Sequence, residues 1–332
     1  MASILAKPDN CKILISMMNL VSVIIPIHNR FPLVDEAVAS VFDQTHRPIQ
    51  LIIVDDCSDE PFVLKIASQP TIEVILIRHE SNQGPGASRE TGRQKAQGDY
   101  IAYLDSDDLW HPQKLAKQVA MLQAQPEAEM CYCTSLEFQK FPLIGQEKTR
   151  KKSDQSFDQF LPTVLSGRPW DTSACLWTRQ ASNAIGPWFP GWAWEDYAYD
   201  FTAGCLGLRI THLPETLCYY RNIHEEERLS ESTRKTQVIN RASAVLEMNQ
   251  VMKKYHTVID ESTINRLMKI LYYQAMHLFY LDEKEKAHEL LSEVRINHFD
   301  KVNIFIGLLN LFSLFFRSKF LGHALYKFRK II

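Results

Sequence analysis

The chain predicts an α/β fold, a mostly parallel sheet flanked by helices and followed by a C-terminal helical region. Short apolar, β-branched runs at 21–26, 51–54, 74–77 and 100–104 alternate with stretches of helical spacing at 33–42, 87–96 and 112–122. Continuous apolar runs separated by helices indicate parallel strands buried on both faces. Three of these runs end in polar residues: His28-Asn29-Arg30, Asp55-Asp56 and Asp105-Ser106-Asp107-Asp108. Open α/β sheets bind ligands at the carboxyl ends of their strands. Carboxylates gathered there mark a site.

A length of 332 residues suits one large domain plus a smaller one. Composition is ordinary, with 45% hydrophobic and 23% charged residues, and the net charge of −2 gives no reason to expect nucleic acid as a partner. The seven cysteines include no Cys-x-x-Cys pair. Reduced thiols in a cytoplasmic protein are therefore expected, rather than a zinc knuckle or a disulfide framework.

Residues 1–20 read as a poorly structured N-terminal extension. Their apolar stretch is broken by Ser16 and Asn19 and lacks the long core and cleavage site of a secretory signal. The main domain is expected over 21–230. Its strand at 100–104 ends in three carboxylates within four residues. Mutual repulsion and desolvation make such a cluster costly, and a magnesium or manganese ion, which prefers carboxylate oxygens, removes that cost. Asp105 and Asp107 lie two apart, so an extended backbone points them the same way. The competing reading is a turn in which Asp107 or Asp108 caps the helix that follows.

Residues 136–168 read as a polar loop containing the basic cluster at 148–152, and a region with Trp170, Trp177, Trp188, Trp192 and Trp194 comes next. A helical region is expected over 231–300, with 270–294 forming a hairpin that turns at Leu281-Asp282-Glu283. No fixed period recurs, so no repeat array is expected. Within 301–332, the stretch 304–316 is almost wholly apolar and precedes Arg317, Lys319, Lys327, Arg329 and Lys330. As a helix it would span about 20 Å, short of the roughly 30 Å hydrocarbon core. It is expected to lie on an anionic membrane surface, a core helix with a solvated basic tail being the other reading.

Four segments then occur in a telling order: Val-Ser-Val-Ile-Ile-Pro-Ile-His-Asn-Arg (21–30), Ile-Ile-Val-Asp-Asp-Cys-Ser-Asp (52–59), Asn-Gln-Gly-Pro-Gly-Ala-Ser-Arg (82–89) and Gly-Asp-Tyr-Ile-Ala-Tyr-Leu-Asp-Ser-Asp-Asp (98–108). Together they resemble the family 2 glycosyltransferases, strongly over 21–115 and more weakly to 230. The resemblance implies a GT-A fold, a nucleotide-diphosphate sugar donor (usually UDP-linked), Mn2+ or Mg2+, and transfer with inversion. The expected acceptor is a hydroxyl of a polysaccharide, glycolipid or lipid-linked envelope glycan. By position, Pro26, His28 and Asp56 would line the nucleoside pocket, with Asp56 accepting a hydrogen bond from the base and Asp55 orienting the loop. Arg89 would sit close to the nucleotide, Asp105 would serve the ribose or support the metal site, and Asp107 would bind the metal. Asp108 matches a third carboxylate of less certain role. Two positions depart from the pattern: His28 replaces a tyrosine, and Glu90 stands where asparagine is common.

Further on, residues 191–200 resemble the family's Glu-Asp motif, which implies Asp196 as the base, Glu195 as the second candidate, and Trp192 and Trp194 as apolar faces for a sugar. An inverting displacement needs one carboxylate opposite the leaving group. The alternative is an ordinary helix start with acidic residues at its positive end. The Arg221-Asn222-Ile223-His224 segment resembles the Arg-x-x-His element, implying His224 as a further metal ligand, although the acids at 225–227 also suit a solvated loop. The rivals are a non-catalytic, membrane-associated sugar-nucleotide-binding protein on the same scaffold and an Asp-x-Asp phosphatase. The latter would carry its motif on the first strand. The expected location is cytoplasmic, peripheral on the inner face of the membrane.

Overall fold

The computed structural model describes residues 19–139, 143, 147–222, 235–255 and 259–294. The expected N-terminal extension (apart from Asn19 and Leu20), His224 and the 301–332 segment lie outside them. Strands β1 (Val21–Ile27), β2 (Ile49–Asp55), β3 (Ile72–Arg78) and β4 (Tyr100–Tyr103) are parallel, in the order β3-β2-β1-β4. Beyond β4 the nine-stranded sheet becomes mixed. β8 (Cys175–Thr178) runs antiparallel to β4 and to β6 (Met130–Phe138), while β9 (Ile210–Arg221) lies parallel to β6. The two-residue strands β5 (Leu109–Trp110) and β7 (Lys148–Thr149) pair with β9 and β6.

Alternation along each strand divides the core. Val23, Ile25, Leu51 and Ile53 join one apolar cluster with helices α1 (Phe31–Phe42) and α3 (Lys114–Ala124). Ile24, Ile52, Val54, Ile101 and Tyr103 join the other, with Trp170, Trp177, Trp188 and Tyr199. Helix α2 (Pro85–Lys95) offers little apolar surface and packs through small residues instead. A Cβ at Gly92 would fall 2.4 Å from the Ile24 side chain, so the absence of a side chain brings α2 onto the strand.

The expected polar loop at 136–168 differs from the structure. Phe138 ends a nine-residue strand, and the basic cluster is partly neutralised: Arg150 and Lys151 reach the buried Asp171 at 3.5 and 3.1 Å. β9 accommodates Pro214 where its register against β6 slips, between Leu213 and Thr216. A bulge leaves the missing proline N–H without consequence for the ladder.

Helix α4 (Arg179–Ile185) follows β8, and α5 (Glu195–Cys205) carries the acidic pair. The C-terminal helices are α6 (Lys235–Tyr255), α7 (Glu261–Tyr280) and α8 (Lys284–Glu293). The turn between α7 and α8 falls at Leu281 to Glu283, as the sequence predicts. These helices share a third apolar cluster with Ala198, Phe201 and Cys205 of α5. Among the described residues the six cysteines are free and no helix is long and apolar enough to cross a membrane.

Candidate active site

Strand register sets the site. Ile27 pairs with Asp55, and Ile24 with Tyr103, so the polar residues after β1, β2 and β4 emerge along one sheet edge. Pro26 is buried inside β1 opposite Val54 and shapes the strand end from within, whereas His28 is exposed just past it. Asn82 Oδ1 accepts from the Gly84 N–H, which leaves Asn82 Nδ2 facing His28 Nε2 at 3.1 Å. Nε2 therefore accepts, and Nδ1–H donates to the Asp56 carbonyl at 3.0 Å. The histidine stands fixed just beyond the end of β1.

Asp55 and Asp56 divide their work. Asp55 turns inward, accepting from the Ser58 N–H at 2.9 Å and from Arg78 at 2.6 Å. Burial alone would raise its carboxyl pKa, but these hydrogen bonds and the Arg78 charge hold it below the usual range. Asp56 accepts from Gln83 N–H (2.9 Å), Gly84 N–H (2.7 Å) and His79 (2.7 Å), tying the loop before α2 to β2.

The three carboxylates after β4 have distinct surroundings. Asp108 is buried, with one oxygen taken by Ser173 Oγ at 2.6 Å and the other by the Arg221 N–H at 3.0 Å. It organises the turn. Asp105 Oδ1 accepts from Arg89 at 2.7 Å, and its Oδ2 has no partner among the described residues. Asp107 is 26% exposed, with Arg30 at 3.5 Å. Burial and the neighbouring Asp105 charge push its pKa up to about 6, against the pull of Arg30. No cluster of three metal-ligating side chains forms among the described residues. A magnesium or manganese ion needs only one or two carboxylates when phosphates complete its shell. Asp107, with the spare oxygen of Asp105, fits that role, and Asp108 does not.

Arg89 joins the two halves of the site. It is buried, packs near the Trp188 ring, and donates to Asp105 at 2.7 Å and to Glu195 at 2.7 Å. Desolvation disfavours its charge, but the two carboxylates more than compensate and raise its pKa. Arg89 thus braces the site through its two terminal nitrogens, while its buried Nε–H has no hydrogen-bond partner among the described residues. Glu195, 10% exposed, is locked inward by this pair, and burial outweighs Arg89 to raise its pKa. Asp196 is 26% exposed; its Oδ2 accepts from Arg168 at 3.0 Å and its Oδ1 from the Tyr197 N–H at 2.8 Å. Asp196 is the member of the pair that meets solvent.

Of the flanking tryptophans, Trp192 lies over Gly84, whose Cβ position would be 3.1 Å from the ring. Trp194 turns the other way, stacking near Tyr197 and packing into the helical cluster. It does not join Trp192 as a sugar-facing wall, because its left-handed backbone (φ 61°) starts α5 and aims the ring at α6. Glu90 accepts from Arg93 at 2.7 Å and from the Trp188 N–H at 3.1 Å, tethering α2 to the chain that leads into α5. Arg168 belongs to none of the sequence motifs. Its one signal was an arginine within an aromatic stretch, since arginine is buried only when paired.

A family model described as Glycosyl transferase family 2 matches residues 22–178. An uncharacterized glycosyltransferase of Haemophilus influenzae is 33% identical over 188 residues, 55% of this chain and 70% of that protein. The chain belongs to the family 2 glycosyltransferases. Part of this transferase is also 33% identical to the UDP-Glc:alpha-D-GlcNAc-diphosphoundecaprenol beta-1,3-glucosyltransferase WfgD of Escherichia coli, over 31% of the chain and 41% of that protein. S. aureus TarS 1-349, solved in complex with UDP-GlcNAc, superposes with a TM-score of 0.54 at 15% identity, covering 82% of the transferase and 87% of that chain. The transferase has the GT-A fold that the sequence predicts.

Proposed function

We propose that the transferase moves a sugar from a UDP-linked donor to a hydroxyl of a lipid-linked or cell-envelope glycan, with inversion. One observation supports the reading: Arg89 holds Asp105, the acid assigned to the diphosphate side, and Glu195, neighbour of the partly exposed Asp196, in one cluster. The UDP donor and lipid-linked acceptor draw support from the E. coli relative's name.

His28, Asn82 and the Asp56 loop form the wall offered to the nucleoside. Asp105 and Asp107 face the diphosphate. Mn2+ or Mg2+, held by Asp107 and Asp105 with a contribution expected from His224, would neutralise charge on the departing nucleotide. Asp196 accepts the acceptor proton as the hydroxyl oxygen bonds to the anomeric carbon and the carbon–phosphate oxygen bond breaks. Trp192 supplies an apolar surface beside this space.

The test is a panel of UDP- and GDP-sugars assayed for nucleotide release with and without MnCl2. Asp107→Ala should abolish Mn2+-dependent UDP binding in calorimetry. Asp196→Asn should keep UDP binding within about threefold while losing about 100-fold or more in rate. Full activity in Asp196→Asn removes the assigned base. We further propose that the apolar and basic 302–332 segment keeps the protein on the cytoplasmic membrane face. Sedimentation with anionic vesicles that persists after its deletion overturns that placement.

A further inference from the structure

We infer that Arg168 is a positioning residue for Asp196, fixing the direction in which its carboxylate meets the acceptor hydroxyl. The inference rests on the reading of Asp196 as the base.

Arg168 lies beyond the short turn Thr163–Ser166 and is only 2% exposed. Its NH1 donates to Asp196 Oδ2 at 3.0 Å and its Nε to Asp200 Oδ2 at 2.5 Å. Asp196 and Asp200 are four residues apart on α5, so they sit one above the other on the same helix face. Asp200 is anchored in turn: Trp170 Nε1 donates to its Oδ2 at 2.7 Å, and the Trp170 ring packs against Tyr132 and Phe160. A continuous line of contacts therefore runs from the aromatic core through Trp170, Asp200 and Arg168 to the exposed carboxylate.

Neutralising a buried arginine requires one carboxylate, and the wholly buried Asp200 supplies it. The second arm of the guanidinium reaches out to a partly exposed oxygen, which charge balance alone does not require. With Oδ1 accepting from the Tyr197 N–H, both Asp196 oxygens are anchored and the side chain is held to one rotamer. Lysine, with one ammonium in place of a planar fork, cannot hold both acids in this geometry.

The experiment is a double-mutant cycle on the full chain with Arg168→Lys, Asp196→Asn and the pair together. UDP release is followed from UDP-glucose and UDP-GlcNAc with MnCl2, using the donor that the wild-type protein turns over. Arg168→Lys should lower kcat about 10- to 100-fold with the donor KM within twofold, as expected for a misplaced catalytic group. In the Asp196→Asn background it should change the rate less than twofold, because coupled residues are not additive. UDP affinity should stay within about threefold throughout, as for Asp196→Asn alone. Because losing Arg168 strands the buried Asp200, the double variant Arg168→Gln/Asp200→Asn removes both charges and should show the same kcat loss. Equal factors for Arg168→Lys in both backgrounds, or UDP affinity falling in step with kcat, overturn the inference. An unaffected Asp196→Asn single variant instead overturns the base assignment itself, so the two failures read differently.

Discussion

Asp55 shows how a single side chain at the sheet edge becomes a stability term with a definite pH dependence. Its folded pKa is depressed, so its contribution is fully present above the unfolded value near 4 and fades as pH falls through the folded value. Asp55→Asn should cost about 2 kcal/mol at pH 7, and urea midpoints of variant and wild type should converge towards pH 2. A gap that does not change with pH would place the loss in packing. Motif residues of this kind were legible because their spacing is local: the acids after β2 and β4 sit where the strand pattern ends. Side-chain partners were not legible. Glu90 looked like a departure from the family pattern, yet it accepts the Trp188 N–H across 98 residues, a contact that no local spacing encodes.

At the scale of elements, the acidic helix start depends on glycine backbone beneath it. A Cβ on Gly86 would lie 2.1 Å from the Phe189 carbonyl and 3.1 Å from that of Gly191, both backbone atoms that cannot swing aside. Gly86→Ala should therefore destabilise by about 1–3 kcal/mol. It should also lower nucleotide release beyond the unfolded fraction, since the displaced chain leads directly into Asp196. Thermal melts alongside initial rates check this, and an unchanged rate in the folded protein disproves the link. Strands β1 to β4 are readable as apolar runs, although β2 and β3 are joined by a loop and not by a helix. β6 and β9 are not readable: their partners are distant in sequence, and Pro214 with the register slips masks the β9 pattern. The reversal at β8 was equally hidden, because four residues carry no sign of strand direction.

Across the whole molecule, the C-terminal helices do more than follow the catalytic domain. Their apolar cluster includes Ala198, Phe201 and Cys205, the inner side of the helix whose first turn bears the proposed base. Phe201 is wholly buried. Phe201→Ala should cost about 3–5 kcal/mol. A chain ending at residue 222 should bind a hydrophobic dye strongly, through the α5 face it uncovers. If that chain unfolds cooperatively with the full-length midpoint, the helices are dispensable to the domain. The sequence showed these helices and their hairpin but not their attachment, because an amphipathic face does not name the surface it will cover.

The buried Arg89 brace also governs how this enzyme can be re-engineered. Its two anchors are 90 positions apart in the chain, Asp105 on the side proposed for the donor and Glu195 next to the proposed base. A chimera that grafts the acceptor half of a relative onto this donor half would sever the ion pair unless the graft supplies its own acid at position 195. Exchanges that preserve that acid should yield working hybrids, and those that lose it should strand a cation in the protein interior and fold poorly.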